Sequence, residues 1–151
     1  MSRMRFNHME LTLPEGALNE QMRADIKSFY GDILGWQTMD VPLLGQMTYY
    51  LAPDDGQFIL LAESEKPLQS PGYDHLGLLV ETWAEVDELL EQCEKFADQD
   101  SRMKIKKYDD LLQGPVTVRA FYVKYLLPIY FDIQFMKWEE SAAPRQKWSY
   151  A

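Results

Sequence analysis

Two histidines are all this 151-residue chain has, and they occupy matching places. His8 lies in Phe6-Asn7-His8-Met9-Glu10-Leu11, and His75 in Tyr73-Asp74-His75-Leu76-Gly77-Leu78. Both runs alternate in polarity, as a strand does when only one face is buried. Met9, Leu11 and Leu13 fall on one face of the first run, His8 and Glu10 on the other. Leu76, Leu78 and Val80 oppose His75 and Gly77 in the second. A third run near the C-terminus sets Phe131, Ile133 and Phe135 against Asp132 and Gln134. If helices cover the apolar faces, the imidazoles, carboxylates and carboxamide all point toward an open side. Imidazole nitrogen and oxygen donors together suit zinc, iron, nickel or manganese. A plainer reading stands beside this one: each histidine is a pocket residue hydrogen-bonded to Glu10 or Asp132.

The elements that must position these residues recur in order. A strand over residues 5–13 is followed by a helix over about 19–34. There Met22, Ile26, Phe29, Tyr30 and Ile33 recur at spacings of three and four, Asn19 serves as N-cap and Gly35 as the stop. Strands follow over 37–41, 46–52 and 57–63, the last two joined by the turn Asp54-Asp55-Gly56. The pattern then restarts with a strand over 73–81. Thr82 and Glu85 fit a capping box for a helix over about 83–98. Strands over 103–108, 115–126 and 129–138 complete the second copy. The order is β-α-β-β-β twice, with His8 and His75 at equivalent points, which suggests a duplicated unit. The fold class expected is α+β: two βαβββ modules forming a half-barrel sheet cavity, helices packed outside. The chain reads as one domain over 1–151, made of repeats 5–65 and 72–138, with an extension over 139–151 whose Trp148 and Tyr150 are able to dock on a neighbour.

Composition narrows the function classes. Hydrophobic residues make up 46%, enough for a sizeable core, and charged residues 26%, an ordinary globular balance. A net charge of −9 disfavours nucleic acid and anionic membrane surfaces as partners. No apolar run is long enough to cross a bilayer. One cysteine, Cys93, allows no intramolecular disulfide and fits a reducing, cytoplasmic setting. Lys104, Lys106 and Lys107 form a short basic cluster, read as a solvated strand surface.

Three segments carry a family resemblance: Phe6-Asn7-His8-Met9-Glu10-Leu11, then Phe29-Tyr30-Gly31-Asp32-Ile33-Leu34-Gly35-Trp36, then Tyr73-Asp74-His75-Leu76-Gly77-Leu78-Leu79-Val80. In that order they resemble the vicinal oxygen chelate superfamily of glyoxalases, bleomycin resistance proteins and extradiol dioxygenases. The resemblance implies metal ligands at His8 and His75, and at Gln134, which stands where the family usually has glutamate. Leucine occupies the place of the fourth-strand glutamate of glyoxalases. That leaves a three-ligand pattern, with Asp132 or Glu10 as compensating or second-shell groups.

Two functions fit these residues. In the first, a divalent metal (Zn, Fe, Mn or Ni) on His8, His75 and Gln134 acts as a Lewis acid on a small oxygen-bearing substrate. Glu10 or Asp132 serves as general base, and Arg119, Tyr122 and Trp36 contact the substrate. In the second, a metal-free dimer sequesters a ligand in an aromatic crevice, as the bleomycin resistance members do. A cationic ligand would suit so acidic a chain. The plainer role for Arg119 is a salt bridge to Asp or Glu. A homodimer is expected in either case, because unprotected sheet edges need cover.

Overall fold

Strand β1 (His8–Pro14) buries Leu11 and Leu13 while its other face stays open. The strand begins at His8, later than its sequence alternation does, and Phe6 before it is 90% exposed. The computed structural model describes residues 4–144, and Trp148 and Tyr150 lie outside the described residues.

Helix α1 (Glu20–Ile26) starts where the Asn19 side chain accepts the Met22 N–H. It is shorter than its apolar periodicity implies. The last part, Lys27–Gly31, widens to π-helical spacing, and this wide turn buries the adjacent Phe29 and Tyr30 together. Gly35 then reverses the chain at a φ of 74°, a backbone that side-chain-bearing residues resist. Strands β2 (Gln37–Leu43), β3 (Gln46–Asp54) and β4 (Gln57–Ser64) follow. The sheet order is β1-β4-β3-β2, with β1 and β4 parallel.

The second half repeats the scheme with β5 (His75–Leu79), α2 (Trp83–Ala97), β6 (Lys104–Lys107), β7 (Leu111–Gln113), β8 (Val116–Lys124) and β9 (Tyr130–Trp138). Both reciprocal bonds of the capping box form: the Glu85 N–H donates to Thr82 Oγ1 and the Thr82 N–H to Glu85 Oε2. The sheet runs β5-β9-β8-β6, with β5 and β9 parallel. The short β7, paired only with β8, has no counterpart in the first half.

The mixed α+β class and the βαβββ order match the sequence reading. The halves meet through their apolar faces. Leu11, Leu13, Ile59 and Leu61 of the first sheet share one core with Phe121, Val123, Phe131 and Ile133 of the second. The wide turn of the first half reaches across this junction. Tyr30 packs edge-on against Phe131 with ring centres 5.6 Å apart, and its hydroxyl donates to the Tyr125 carbonyl at 2.8 Å. Phe29 meets Phe96 of α2, and Trp36 meets Phe131. Arg102 adds a polar clasp, donating to Asp25 of α1 and to Asp100, while the Tyr125 hydroxyl donates to Asp100 at 2.6 Å. Strand side chains alternate between faces. With both apolar faces turned into one core, the faces carrying His8 and His75 point away from it on separate sheets.

Candidate functional site

On the outward face of the second sheet, register decides who meets whom. His75 pairs with Tyr130 and Gly77 with Asp132 across β5 and β9; Tyr122 pairs with Asp132 and Ala120 with Gln134 across β8 and β9. Period-two alternation therefore gathers His75, Asp132, Gln134 and Tyr122 on one face. With Tyr108 and Met136 they line a cavity of about 400 Å³.

His75 Nδ1 lies 2.8 Å from the Tyr73 carbonyl oxygen. A carbonyl only accepts, so the neutral ring carries its proton on Nδ1 and keeps a lone pair on Nε2. Fixing a ring from behind in this way is how metal-ligating histidines are held. Nε2 faces Asp132 Oδ2 at 3.8 Å and the Tyr122 hydroxyl at 3.3 Å. Asp132 is buried, and its Oδ1 has no hydrogen-bond partner among the described residues. Burial pushes its carboxyl above the usual carboxylate range, with the nearby His75 pulling partly the other way. Burial likewise pushes the Tyr122 phenol up to about 12, helped by Asp132 and Tyr108.

Gly77 has a local reason. A Cβ there would stand 2.8 Å from Gln134 Nε2, so its absence lets the carboxamide lie across β5. Around the mouth, Tyr122 touches Tyr73, His75, Tyr108 and Tyr130. Tyr73 and Tyr108 flank the strands just outside His75 and Lys106. Two-residue spacing from His75 and Lys106 was the available signal for both, and the sequence reading passed over it.

The other expected site residues lie elsewhere. His8 is exposed on the first sheet, stacked on Phe58 at 4.8 Å, with Nδ1 2.8 Å from Asn7 Oδ1. It lines a smaller cavity of about 170 Å³ that Gly77 also borders. Glu10 is exposed on the same strand, registered with Leu60. Arg119 points to the core side of β8, ion-paired with Asp110 and Asp87 and resting on Trp83. This is the salt bridge weighed against a substrate clamp, and it keeps Arg119 off the cavity face. Trp36 packs between Tyr30 and Phe131, away from His75. Tyr49 and Tyr125 are core residues. Among the described residues of one chain, no three His, Cys, Asp or Glu side chains gather closely enough to hold a metal ion. Within one chain, then, the structure brings together His75, Gln134, Asp132 and Tyr122, and His8 lines a separate cavity.

No match is found among curated proteins. Solved structures supply fold relatives. A Bacillus anthracis protein assigned to the glyoxalase family superposes with a TM-score of 0.64 at 16% identity, covering 91% of this chain and 98% of its own. A glyoxylase/bleomycin resistance protein/dioxygenase domain from Frankia sp. EAN1pec gives 0.60 at 18%, covering 90% and 94%. A glutamate-to-glutamine variant of the fosfomycin resistance protein FosX from Listeria monocytogenes, complexed with Mn(II) and 1S,2S-dihydroxypropylphosphonic acid, gives 0.59 at 15%, covering 87% and 92%. No described helix is long and apolar enough to cross a membrane. The family profile of the Glyoxalase/Bleomycin resistance protein/Dioxygenase superfamily matches residues 5–107, and the chain belongs to that superfamily.

Proposed function

We propose that this protein takes a small oxygen-bearing molecule into the cavity beside His75 and acts on it with the help of a divalent cation. One observation carries the reading: an imidazole lone pair 3.8 Å from a buried carboxylate whose second oxygen is unpartnered. A bare carboxylate in that place costs free energy that a cation would offset. The donors fit such an ion in part. His75 Nε2 and the Gln134 carboxamide oxygen would hold it, with Asp132 beside them. A further donor must come from outside the cavity, since His8 lines a separate one on the other sheet. In this reading His8 of a second copy completes the set, the active form is a homodimer, and Glu10 enters with His8.

The bound ion supplies Lewis-acid polarisation of neighbouring substrate oxygens. The chain's own residues do the rest. Asp132, buried beside them, would accept a proton from the substrate as general base. Tyr122 stays a neutral phenol and donates its hydroxyl proton toward a substrate oxygen. The surrounding tyrosines exclude water and orient the molecule. Mn(II) in the Listeria FosX complex supports the chemistry by family likeness. A metal-free sequestering dimer is the second reading, favoured by the aromatic cluster around Tyr122.

Elemental analysis of the purified protein tests the choice. The metal reading expects about one zinc, iron, manganese or nickel per chain, lost in His75→Ala, and a dimer by sedimentation. Protein that takes up no metal even from excess ion refutes it and leaves sequestration.

A further inference from the structure

We propose that the ligand of this cavity carries an anionic group, received by Lys104, Lys106 and Lys124 at one end of the outward sheet face. The inference rests on the reading that the His75 cavity is the ligand site, and it names the ligand's charge class.

Register brings the three lysines together. Lys104 pairs with Lys124 across β6 and β8, and Lys106 pairs with Tyr122. Directly paired residues have Cβ atoms about 5 Å apart. The face continues from Lys124, whose ammonium lies 5.3 Å above the Tyr130 ring, to His75, which pairs with Tyr130. The basic end is therefore two strands from the imidazole, with Tyr122 and Tyr130 between.

What sets these lysines apart is that they gather on one face without a carboxylate. Arg23, Lys27, Lys95, Arg102, Lys107 and Arg119 each have a carboxylate partner. Among the described residues, Lys104, Lys106 and Lys124 have none. Lys106 and Lys124 are half-buried, and burial together with Lys104 pushes the Lys124 ammonium below its usual range. Like charges gathered and partly desolvated without a counter-charge are costly. Tyrosine faces offset some of this: Lys106 Nζ lies 3.7 Å from the Tyr73 ring centre and 5.2 Å from that of Tyr108. An anion placed among them would offset the remainder.

The same contacts revise the expectation of a cationic ligand. On a chain of net charge −9 that expectation follows from overall charge, but positive charge gathers at this end of the face, beside a cavity that Asp109 and Asp132 line. The tyrosine faces there already hold an ammonium, so they offer no vacant cage to a cationic guest. A ligand with its anionic group toward Lys106 and Lys124 would lay a flat body on Tyr122 and reach His75 and Asp132.

The test uses three probes of similar shape: phenylphosphonate, benzyl alcohol and phenyltrimethylammonium. Calorimetry gives affinities and NMR shifts of His75 report occupancy, on the full-length protein with and without chelator. Phenylphosphonate should bind at least about tenfold more tightly than benzyl alcohol, and more weakly as salt rises. Lys106→Gln and Lys124→Gln should each weaken it severalfold, while Lys107→Gln, which breaks the Glu94 pair on the other face, should not. A preference for the neutral or cationic probe overturns the charge assignment alone. Phenylphosphonate binding that disappears with chelator and ignores the lysine variants overturns the lysine role. If no probe moves the His75 signals, the cavity reading and this inference fall together.

Discussion

Replacing Asp132 by asparagine should make the protein more stable near neutral pH. The wild-type carboxylate is 8% exposed, its Oδ1 lacks a partner, and its nearest positive candidate, the His75 ring, is 3.8 Å from the other oxygen. An unsatisfied buried polar group costs about 1–3 kcal/mol. Asparagine keeps a buried amide but removes the charge, so a net gain of about 1 kcal/mol is expected. For a chain of this size that raises Tm by about 2–4 °C. The pH dependence follows from the raised carboxyl. A protonated Asp132 favours the folded state; that contribution is complete below the unfolded value of about 3.9 and is lost as pH climbs through the higher folded value. The variant's advantage should therefore be largest near neutrality and shrink as the solution is acidified through that window. Urea unfolding of both proteins at several pH values measures it. An Asp132→Asn protein less stable than wild type at neutral pH would refute the argument, because the carboxylate would then be compensated in the folded state.

Other expectations follow from local geometry. Leu44 sits in the hairpin turn before Gly45 with a φ of 51° and is 92% exposed; Leu44→Asn loses no packing, relieves a left-handed strain, and should raise stability by about 1 kcal/mol in urea titrations. Thr82→Ala removes the α2 capping box and should cost about 1 kcal/mol in the same assay. Phe131→Ala opens the junction between the halves and should cost about 3–5 kcal/mol, with circular dichroism and tryptophan fluorescence still melting together. The Asp100 carboxyl is held well below the usual range by Arg102 and the Tyr125 hydroxyl. Its stabilisation is present above about pH 3.9 and lost as pH falls toward the depressed value; Asp100→Asn should flatten the acid limb of a Tm-against-pH curve.

Much of the fold was legible because alternation, caps and turn residues are local. Met9, Leu11 and Leu13 opposite His8, or Thr82 with Glu85, need only neighbours in sequence. The wide turn at Lys27–Gly31 was not legible, since its apolar spacing also suits an ordinary helix. Neither was β7, three residues long and exposed. The site was half legible. Period two places His75, Asp132, Gln134 and Tyr122 on open faces, and register then brings them together. The same rule gives His8 an open face, but which way that face looks depends on how the halves dock. Docking is a long-range matter of Tyr30, Trp36 and Phe131. Arg119 illustrates the point in reverse: its neighbours Phe121 and Val123 already assign it to the core side of β8.

The docking of the halves also bears on how the molecule would survive a cut. Residues 65–74 connect the sheets over the surface, while Tyr30 and Trp36 hold the Phe131 ring and the Tyr125 carbonyl across the junction. Cleaving that connector should leave a nicked protein that stays assembled. Either fragment made alone would expose the aromatic seam to water and precipitate, and mixing the two would restore the soluble form, as in a split reporter.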